Sequence, residues 1–394
     1  MSILNHSPAI VRDGLILCLD AGAVRSYPGT GPELVSNGNF ESSFTNYWVI
    51  RPAQDGGNQV LTQDSSIVKS GTYSAKIVVG GSNPNYDGFR GDSSGHFTLT
   101  NGKRYLLSFD VYPVNDTGID AYIVAGSTYC GTNVTGLTQG AWNNVELFID
   151  VTATSSSSFV EFQTGSLWGD GTWYFDNVSV REVLWNDLSG NFNNGTLVNA
   201  PAFSADSGAG GTKSFDFDGT SDYIDLGETF QSIFRSSFSI GMWVKPADGQ
   251  PAGSQVLIGS ENSSDQDTVY VLITTAGNTV IKYQSDNDEV AGISDAVVFA
   301  NGQNDWHHIV CTATSGGNLV TYVNGIVVDT TDASGATFAA WTSSDELFVG
   351  AHDVNGTPNN FFEGKIAIAH VYNRALTNTE IQQNYRTHKG RFGL

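Results

Sequence analysis

The residues best suited to chemistry in this chain are carboxylates, histidines and loop aromatics, and their spacing separates catalysis from recognition. Cleaving a glycosidic bond takes two carboxylates that flank it. No E-x-D-x-E or E-x-D-x-x-E run occurs, and the densest acidic runs, Asp286-Asn287-Asp288-Glu289 and Asp345-Glu346, read as loops. His307 and His308 follow Trp306 in a predicted strand, where alternation sends one toward the core or an edge and the other to solvent. Neither H-E-x-x-H nor P-loop spacing is present. Sugars are held by aromatic faces flanked by hydrogen-bonding side chains. Tyr86, Phe89, Arg90, Tyr129 and Trp168, with Asn85 and Asp87 beside them, fall at predicted loops or strand ends and suit that role. Each aromatic also suits a core, and Trp48, Trp142 and Trp173 fit core or hairpin positions better. Further on, Asp187, Asn191 and Asn193 form an oxygen-rich loop that can hold an ion or close turns through Asx hydrogen bonds. His352, Asp353, Asn355, Asn359 and Asn360 form a polar loop that can face a ligand or plain solvent.

The elements that must position these residues are strands. Tyr105, Leu107, Phe109 and Val111 alternate with polar neighbours, as do Val145, Leu147, Ile149 and Val151. Phe238, Ile240, Met242 and Val244 repeat the pattern, and so do Leu319, Thr321 and Val323. Alternation of this kind marks antiparallel strands with one buried face. Asn324-Gly325 between two apolar runs predicts a type I′ hairpin, and Asn101-Gly102, Asp170-Gly171 and Asp218-Gly219 read as turns. One helix is predicted, capped by Thr377 with Glu380 reaching back and running to about Tyr385; its thin apolar side, Ile381 and Tyr385, suits packing on a sandwich edge. The His388-Lys389-Gly390-Arg391 tail beyond it reads as a frayed end or a docking segment.

Composition agrees with an all-β chain. Among 394 residues, 45 are Gly and only 2 are Met, which favours short strands and turns over long helices. The formal charge of −22 disfavours binding to nucleic acid or to anionic membrane surfaces. Cys18, Cys130 and Cys311 are odd in number and far apart, so free buried thiols are expected rather than a disulfide framework. The first residues show no charged and apolar leader pattern, and no apolar run is long enough to span a bilayer.

The pattern of the chain also contains a splice. Gly14 to Asp20 reads as the opening strand of a sandwich, after which Asn37-Gly38-Asn39-Phe40-Glu41 starts a new pattern that ends at Trp173–Val180. Trp185-Asn186-Asp187-Leu188-Ser189-Gly190-Asn191 then resumes the first pattern. A domain whose termini lie side by side can be inserted in an exposed loop. The expected architecture is therefore two antiparallel β-sandwich (jelly-roll) domains, one of residues 1–33 with 184–394 and one of residues 34–183 inserted into it, with one short C-terminal helix.

Five motifs of the outer part, in order, carry a family resemblance. They are Phe217-Asp218-Gly219-Thr220-Ser221-Asp222-Tyr223-Ile224, Phe238-Ser239-Ile240 with Met242-Trp243-Val244, Trp306-His307-His308-Ile309-Val310, Tyr322-Val323-Asn324-Gly325, and Phe362-Glu363-Gly364-Lys365-Ile366-Ala367 with Tyr372-Asn373-Arg374-Ala375-Leu376. This part resembles the laminin-G-like, concanavalin-A-like lectin and glucanase sandwiches, whose hydrolytic members carry the alternating Glu/Asp/Glu strand that is missing here. The inserted part, with its NGNFE start, Ser70–Ile77, Gly102–Tyr105, Trp142–Val145 and FDNVSV end, resembles the jelly-roll carbohydrate-binding modules that accompany glycan hydrolases. That resemblance implies a structural Ca2+ joining the first and last strands, with Glu41 and Asp176 as side-chain ligands and carbonyls near Asn39 and Lys69. The alternative is that Glu41 and Asp176 make hydrogen bonds at the sandwich edge. A second, weaker Ca2+ position would involve Asp187 and Asn191.

The opening Asp13–Gly22 and the later W-x-D-L-S-G-N segment look like structural proteins of marine tailed bacteriophages, here interrupted by the jelly roll. The implied function is a non-enzymatic protein of the virion surface, decorating the capsid or displayed as an appendage and adhering to glycans. Its implied partners are other virion proteins (capsid or tail), host or environmental glycans and, left open, further copies of itself, with no nucleic acid and no membrane insertion. A host-recognition tail fibre and a bacterial lectin-like adhesin are the rival readings.

Overall fold

In a computed structural model the chain is described over residues 9–23, 25–51, 58–80, 86–164, 170–199, 201–206, 212–262, 267–285, 288–293, 297–336 and 338–394. It divides into two compact units, Met1–Gly29 with Leu184–Leu394, and Thr30–Val183. The first boundary falls four residues earlier than the sequence pattern places it. Residues 31–34 already pair with the end of the second unit, Gly31 N–H donating to Glu182 O at 2.9 Å and Leu34 N–H to Val180 O at 3.0 Å.

The unit of residues 30–183 is a sandwich of two antiparallel sheets. One runs Thr128–Val134, Ile119–Ala125, Ser155–Gln163, Gly88–Gly91 and Trp48–Ile50, with Phe97–Leu99 also paired to Ser155–Gln163. The other runs Asn143–Asp150, Arg104–Pro113, Gly171–Trp185, Ser74–Gly80 and Asn58–Asp64. Alternation decides which side chains meet between the sheets. Phe89 and Phe162 of the first sheet pack against Phe109 and Phe175 of the second, with ring centroids 4.5 to 5.2 Å apart for Phe89–Phe162, Phe109–Phe162, Phe162–Phe175 and Phe89–Phe175. Trp48 and Trp173 are buried in the same core, as their sequence context predicts.

The other unit is a second sandwich. In one sheet the central strand Glu363–Tyr372 pairs along one side with Phe238–Pro246 and shares its other side between Leu15–Asp20 and Thr212–Asp218. His307–Ala313, Asn318–Val323 and Ile326–Asp332 extend that sheet. The facing sheet includes Tyr223–Asp225, Phe348–Val349, Gln255–Asn262, Asp267–Ile273, Thr279–Ser285 and Asp288–Ile293. Phe238 from one sheet meets Tyr283 from the other at 5.9 Å, and Phe338 and Trp341 close around Tyr283. Asn324 and Gly325 both take positive φ, 52° and 80°, as a type I′ turn requires.

The C-terminal helix, Asn378–His388, has the expected capping box of Thr377 and Glu380. It does not lie on an edge. Tyr385 stacks at 5.8 Å on Trp243, which belongs to the interior strand Phe238–Pro246, and Phe392 stacks on the same indole at 4.0 Å. The tail is pinned too, with Arg391 Nη1 donating to Asp20 Oδ1 at 2.6 Å. A four-residue helical turn, Gln231–Phe234, adds to the single helix read from the sequence. Cys18, Cys130 and Cys311 are buried free thiols, and no helix among the described residues is long and apolar enough to cross a membrane.

Candidate functional site

On the outer face of the first jelly-roll sheet, strand alternation brings one row of side chains together. In Ser155–Gln163 the odd positions point outward, so Phe159, Glu161 and Gln163 share a face, while Val160 and Phe162 enter the core. Glu161 is registered with Tyr122 on one side and Arg90 on the other. Tyr122 is registered with Gly131, where a Cβ would stand 2.9 Å from the Tyr122 ring and 2.2 Å from Ala121 O; only glycine lets the tyrosine lie across that strand.

Arg51, directly after strand Trp48–Ile50, organises the centre. Its Nε donates to Glu161 Oε1 at 2.7 Å and its Nη1 donates to Tyr86 O, while its guanidinium also meets the Tyr129 hydroxyl. Burial pulls the guanidinium pKa down, but the hydrogen bond and charge of Glu161 outweigh it, and the group stays above its ordinary value. Together Arg51, Tyr86, Tyr122, Tyr129 and Gln163 line a pocket of about 470 Å³. The Tyr122 and Tyr129 rings meet edge to face at 5.6 Å. Tyr86 and Tyr129 are 41% and 47% exposed, so each offers an aromatic surface to solvent. Burial and the neighbouring Asp120 raise the Tyr122 phenol, whose O–H donates to Asp120 Oδ2 at 3.5 Å. Gln163 Oε1 is buried, and among the described residues no donor reaches it.

The aromatic set read from the sequence separates accordingly. Tyr86 and Tyr129 come together in the pocket. Arg90 lies beside it, with its guanidinium 5.1 Å from the Phe159 ring and 4.0 Å from Glu161 Oε2. Phe89 is a correction: it is 0% exposed within the core, because its position in Gly88–Gly91 points inward where Arg90 points out. Trp168 and Asn85 lie outside the described residues, as do Asp286 and Asn287. Arg51, Tyr122, Glu161 and Gln163 carry no motif, and only their polar odd-numbered places alternating with Val160 and Phe162 hint at the last two.

The carboxylates proposed for Ca2+ act as hydrogen-bond acceptors. Glu41 Oε1 accepts the N–H groups of Thr72 and Tyr73 at 2.8 and 2.9 Å, and those bonds, Tyr73 first, lower its pKa. Asp176 Oδ2 accepts the N–H groups of Lys69 and Ser70 at 3.1 and 2.9 Å, and Oδ1 accepts that of Asn177 at 2.8 Å. Lys69 thus presents a donor here, and Asn39 Oδ1 faces the N–H of Glu41 at 3.5 Å. A turn lined by N–H groups suits anionic oxygens, and the two carboxylates already supply them. Asp187 likewise accepts from Cys18 N, Ser189 N, Ser189 Oγ and Asn193 N, while Asn191 directs its amide donors at Leu15 O and Ile16 O. These are Asx-type turn bonds; among the described residues no three His, Cys, Asp or Glu side chains converge, so an ion here would rely on carbonyl and amide oxygens as well.

Both strand histidines are interior, which corrects the expectation that one faces solvent. His307 packs on Phe299 at 4.6 Å and takes Asp305 O at 3.0 Å; His308 stacks on Trp243 at 5.0 Å. Burial and the neighbouring imidazoles lower His308 to about 3. The polar loop near residue 355 is a hairpin of His352–Val354 with Thr357–Asn359, in which His352 and Asp353 are buried. The run Gly91-Asp92-Ser93-Ser94-Gly95 has the letters of a G-x-S-x-G nucleophile elbow, which corrects the expectation that the chain has no such pattern. It forms an exposed three-residue turn capped by Asp92 rather than the strand-to-helix elbow that chemistry needs.

Fold and site together have the form of carbohydrate-binding modules and lectin-like domains: two β-sandwiches, one carrying an aromatic and polar pocket. Matches to known families agree. Residues 32–171 match a carbohydrate binding domain, and residues 218–382 match the concanavalin A-like lectin/glucanases superfamily. Among solved structures the chain is similar to the CBM40 module of the Ruminococcus gnavus IT-sialidase bound to α2,3-sialyllactose, at 18% identity, TM-score 0.37, over 43% of this chain and 94% of that one. It is also similar to domain 4 of an extracellular arabinanase from Geobacillus stearothermophilus in complex with arabinotriose, at 19% identity, TM-score 0.40, over 51% and 92%. The receptor binding domain of a botulinum neurotoxin C/D mosaic serotype is a third, at 15% identity, TM-score 0.38, over 51% and 48%. No curated protein matches the chain.

Proposed function

We propose that this chain is a non-enzymatic glycan-adhesion protein whose working site is the Arg51–Tyr86–Tyr122–Tyr129–Gln163 pocket. The observation that carries this reading is the convergence, in a module matching a carbohydrate binding domain, of two exposed tyrosine rings with a buried acceptor awaiting a donor. Tyr86 and Tyr129 offer faces to the C–H surfaces of a sugar, and Gln163, Tyr122 and Arg51 supply hydrogen bonds to its hydroxyls. A stacked ring contributes about 1–1.5 kcal/mol, so Tyr129→Ala is expected to weaken binding roughly tenfold without shifting the melting temperature. Titration of the full chain against glycans retained by the wild type tests this; unchanged affinity in Tyr129→Ala would move the site elsewhere.

The proposed setting is the surface of a tailed-phage virion, on the capsid or on an appendage. It is supported by the likeness of residues 13–22 and 185–191 to the structural proteins of such phages. Antibody labelling of purified particles tests it: label on heads or tails supports a virion role, and particles without label refute it.

A further inference from the structure

The pocket contains an arginine, which ordinarily signals recognition of an anion, yet that arginine is spoken for. Arg51 Nε is bonded to Glu161 Oε1 at 2.7 Å, with 9% of the arginine side chain exposed and none of the glutamate. Its other contacts are Tyr86 O and the Tyr129 hydroxyl. Arg90, the second cation, faces the same carboxylate at 4.0 Å and lies over Phe159. Two more carboxylates stand behind the lining residues: Asp87 accepts from Gln59 Nε2 at 3.1 Å, and Asp120 Oδ2 stands 3.5 Å from the Tyr122 hydroxyl. The named charges are therefore two cations, Arg51 and Arg90, against three carboxylates, Glu161, Asp87 and Asp120, a net of −1. The segments adjoining the pocket in sequence, 52–57, 81–85 and 165–169, contain one acidic residue, Asp55, and no Lys or Arg.

Resting on the glycan-binding reading above, we infer that Glu161 is the specificity-determining residue of this pocket and restricts it to uncharged sugars. With Arg51 paired to Glu161 and Arg90 facing the same carboxylate, a carboxylated or sulfated sugar would meet guanidinium groups already engaged, with Asp87 and Asp120 standing behind them. Like-charge placement in a partly desolvated site costs binding and acts as a filter against wrong ligands. An uncharged sugar meets no such cost and keeps the Arg51 N–H groups that Glu161 and Tyr86 O do not take, together with the acceptor of Gln163. Glu161 touches no ligand in this scheme; it acts through Arg51.

The test uses the full chain on an array bearing neutral glycans together with uronate oligomers and α2,3-sialyllactose, with Glu161→Gln beside the wild type. The wild type is expected to bind neutral glycans at least tenfold better than their carboxylated counterparts. Glu161→Gln, which frees the charge on Arg51 and takes the net from −1 to zero, is expected to gain tenfold or more on carboxylated probes while keeping neutral binding within about threefold. Should Glu161→Gln melt at room temperature, Asp120→Asn removes a carboxylate without breaking the Arg51 pair and is expected to shift selectivity in the same direction. Wild-type binding to carboxylated probes equal to neutral ones overturns the charge filter and leaves the glycan site standing. No gain in a folded variant overturns the assignment to Glu161. A wild type that binds no glycan of either kind overturns the function proposed above, and this inference with it.

Discussion

Acid should weaken the lectin-like unit through histidines sealed beneath its C-terminal helix. His308 packs against both Trp243 and Tyr385, at 5.0 and 5.9 Å, with Nδ1 unbonded among the described residues. His370 and His388 lie near it, 6.1 Å apart, and Asp20 and Arg391 are the charged groups that face this cluster from the first strand and the tail. Burial holds His308 and His370 at about 3, and lowers His388 as well. An unfolded histidine takes its proton near pH 6.5. Between about 6.5 and 3 the unfolded chain therefore binds more protons than the folded one, so the stability from each neutral imidazole is complete above 6.5 and is lost as pH falls. From pH 7.5 to pH 5 one such group loses about 1.5 × 1.36, or ~2 kcal/mol, against a typical domain stability of roughly 5–15 kcal/mol.

His308→Phe keeps the stack and removes the titration, so it isolates that loss. Urea unfolding followed by tryptophan fluorescence, at pH 7.5 and pH 5, should show the wild type losing ~2 kcal/mol more than the variant. Taking the difference between the two proteins cancels the other titrating groups. One of them, Glu346, is raised to about 7 by burial and by Asp225, and it works in the opposite sense, stabilising toward acid. Equal losses in the two proteins would refute the reasoning, because His308 would then titrate normally and could not be sealed.

Phe89→Ala should cost about 3–5 kcal/mol of stability in urea, since it empties a position among Phe40, Trp48, Phe162 and Phe175. A folded variant that lost only glycan binding would return Phe89 to the ligand face. Stringent chelation should leave the melting temperature unchanged, because Glu41 and Asp176 are taken up by backbone N–H groups. A drop restored by added calcium would reinstate the ion. Thr377→Ala removes the cap hydroxyl that accepts from Glu380 N and should cost about 1 kcal/mol, read as a lower urea midpoint; an unchanged midpoint would mean the helix is held by Trp243 alone.

Much of the fold was legible in the sequence because it rests on local signals. Period-two alternation locates Arg104–Pro113 and Phe238–Pro246, Asn324-Gly325 can satisfy two positive φ angles, and the Thr377–Glu380 spacing closes its own capping box. The binding face was only half legible. Tyr86 and Tyr129 stand at strand ends where exposure could be read, but Phe89 and Arg90 are neighbours, and which of them points outward depends on the register that sets Arg90 opposite Glu161 and Val49. Carboxylates were legible as oxygen donors but not by partner, since the amides of residues 69 and 70 that Asp176 accepts from lie in a turn more than a hundred residues away. The sequence by itself determined strands, turns, cap and charge, because each depends on residues within a few positions. Only the tertiary structure decided that Arg51, Tyr122 and Gln163 share one pocket with Glu161 bonded beneath it, because four strands far apart in the chain must first align side by side for those side chains to meet.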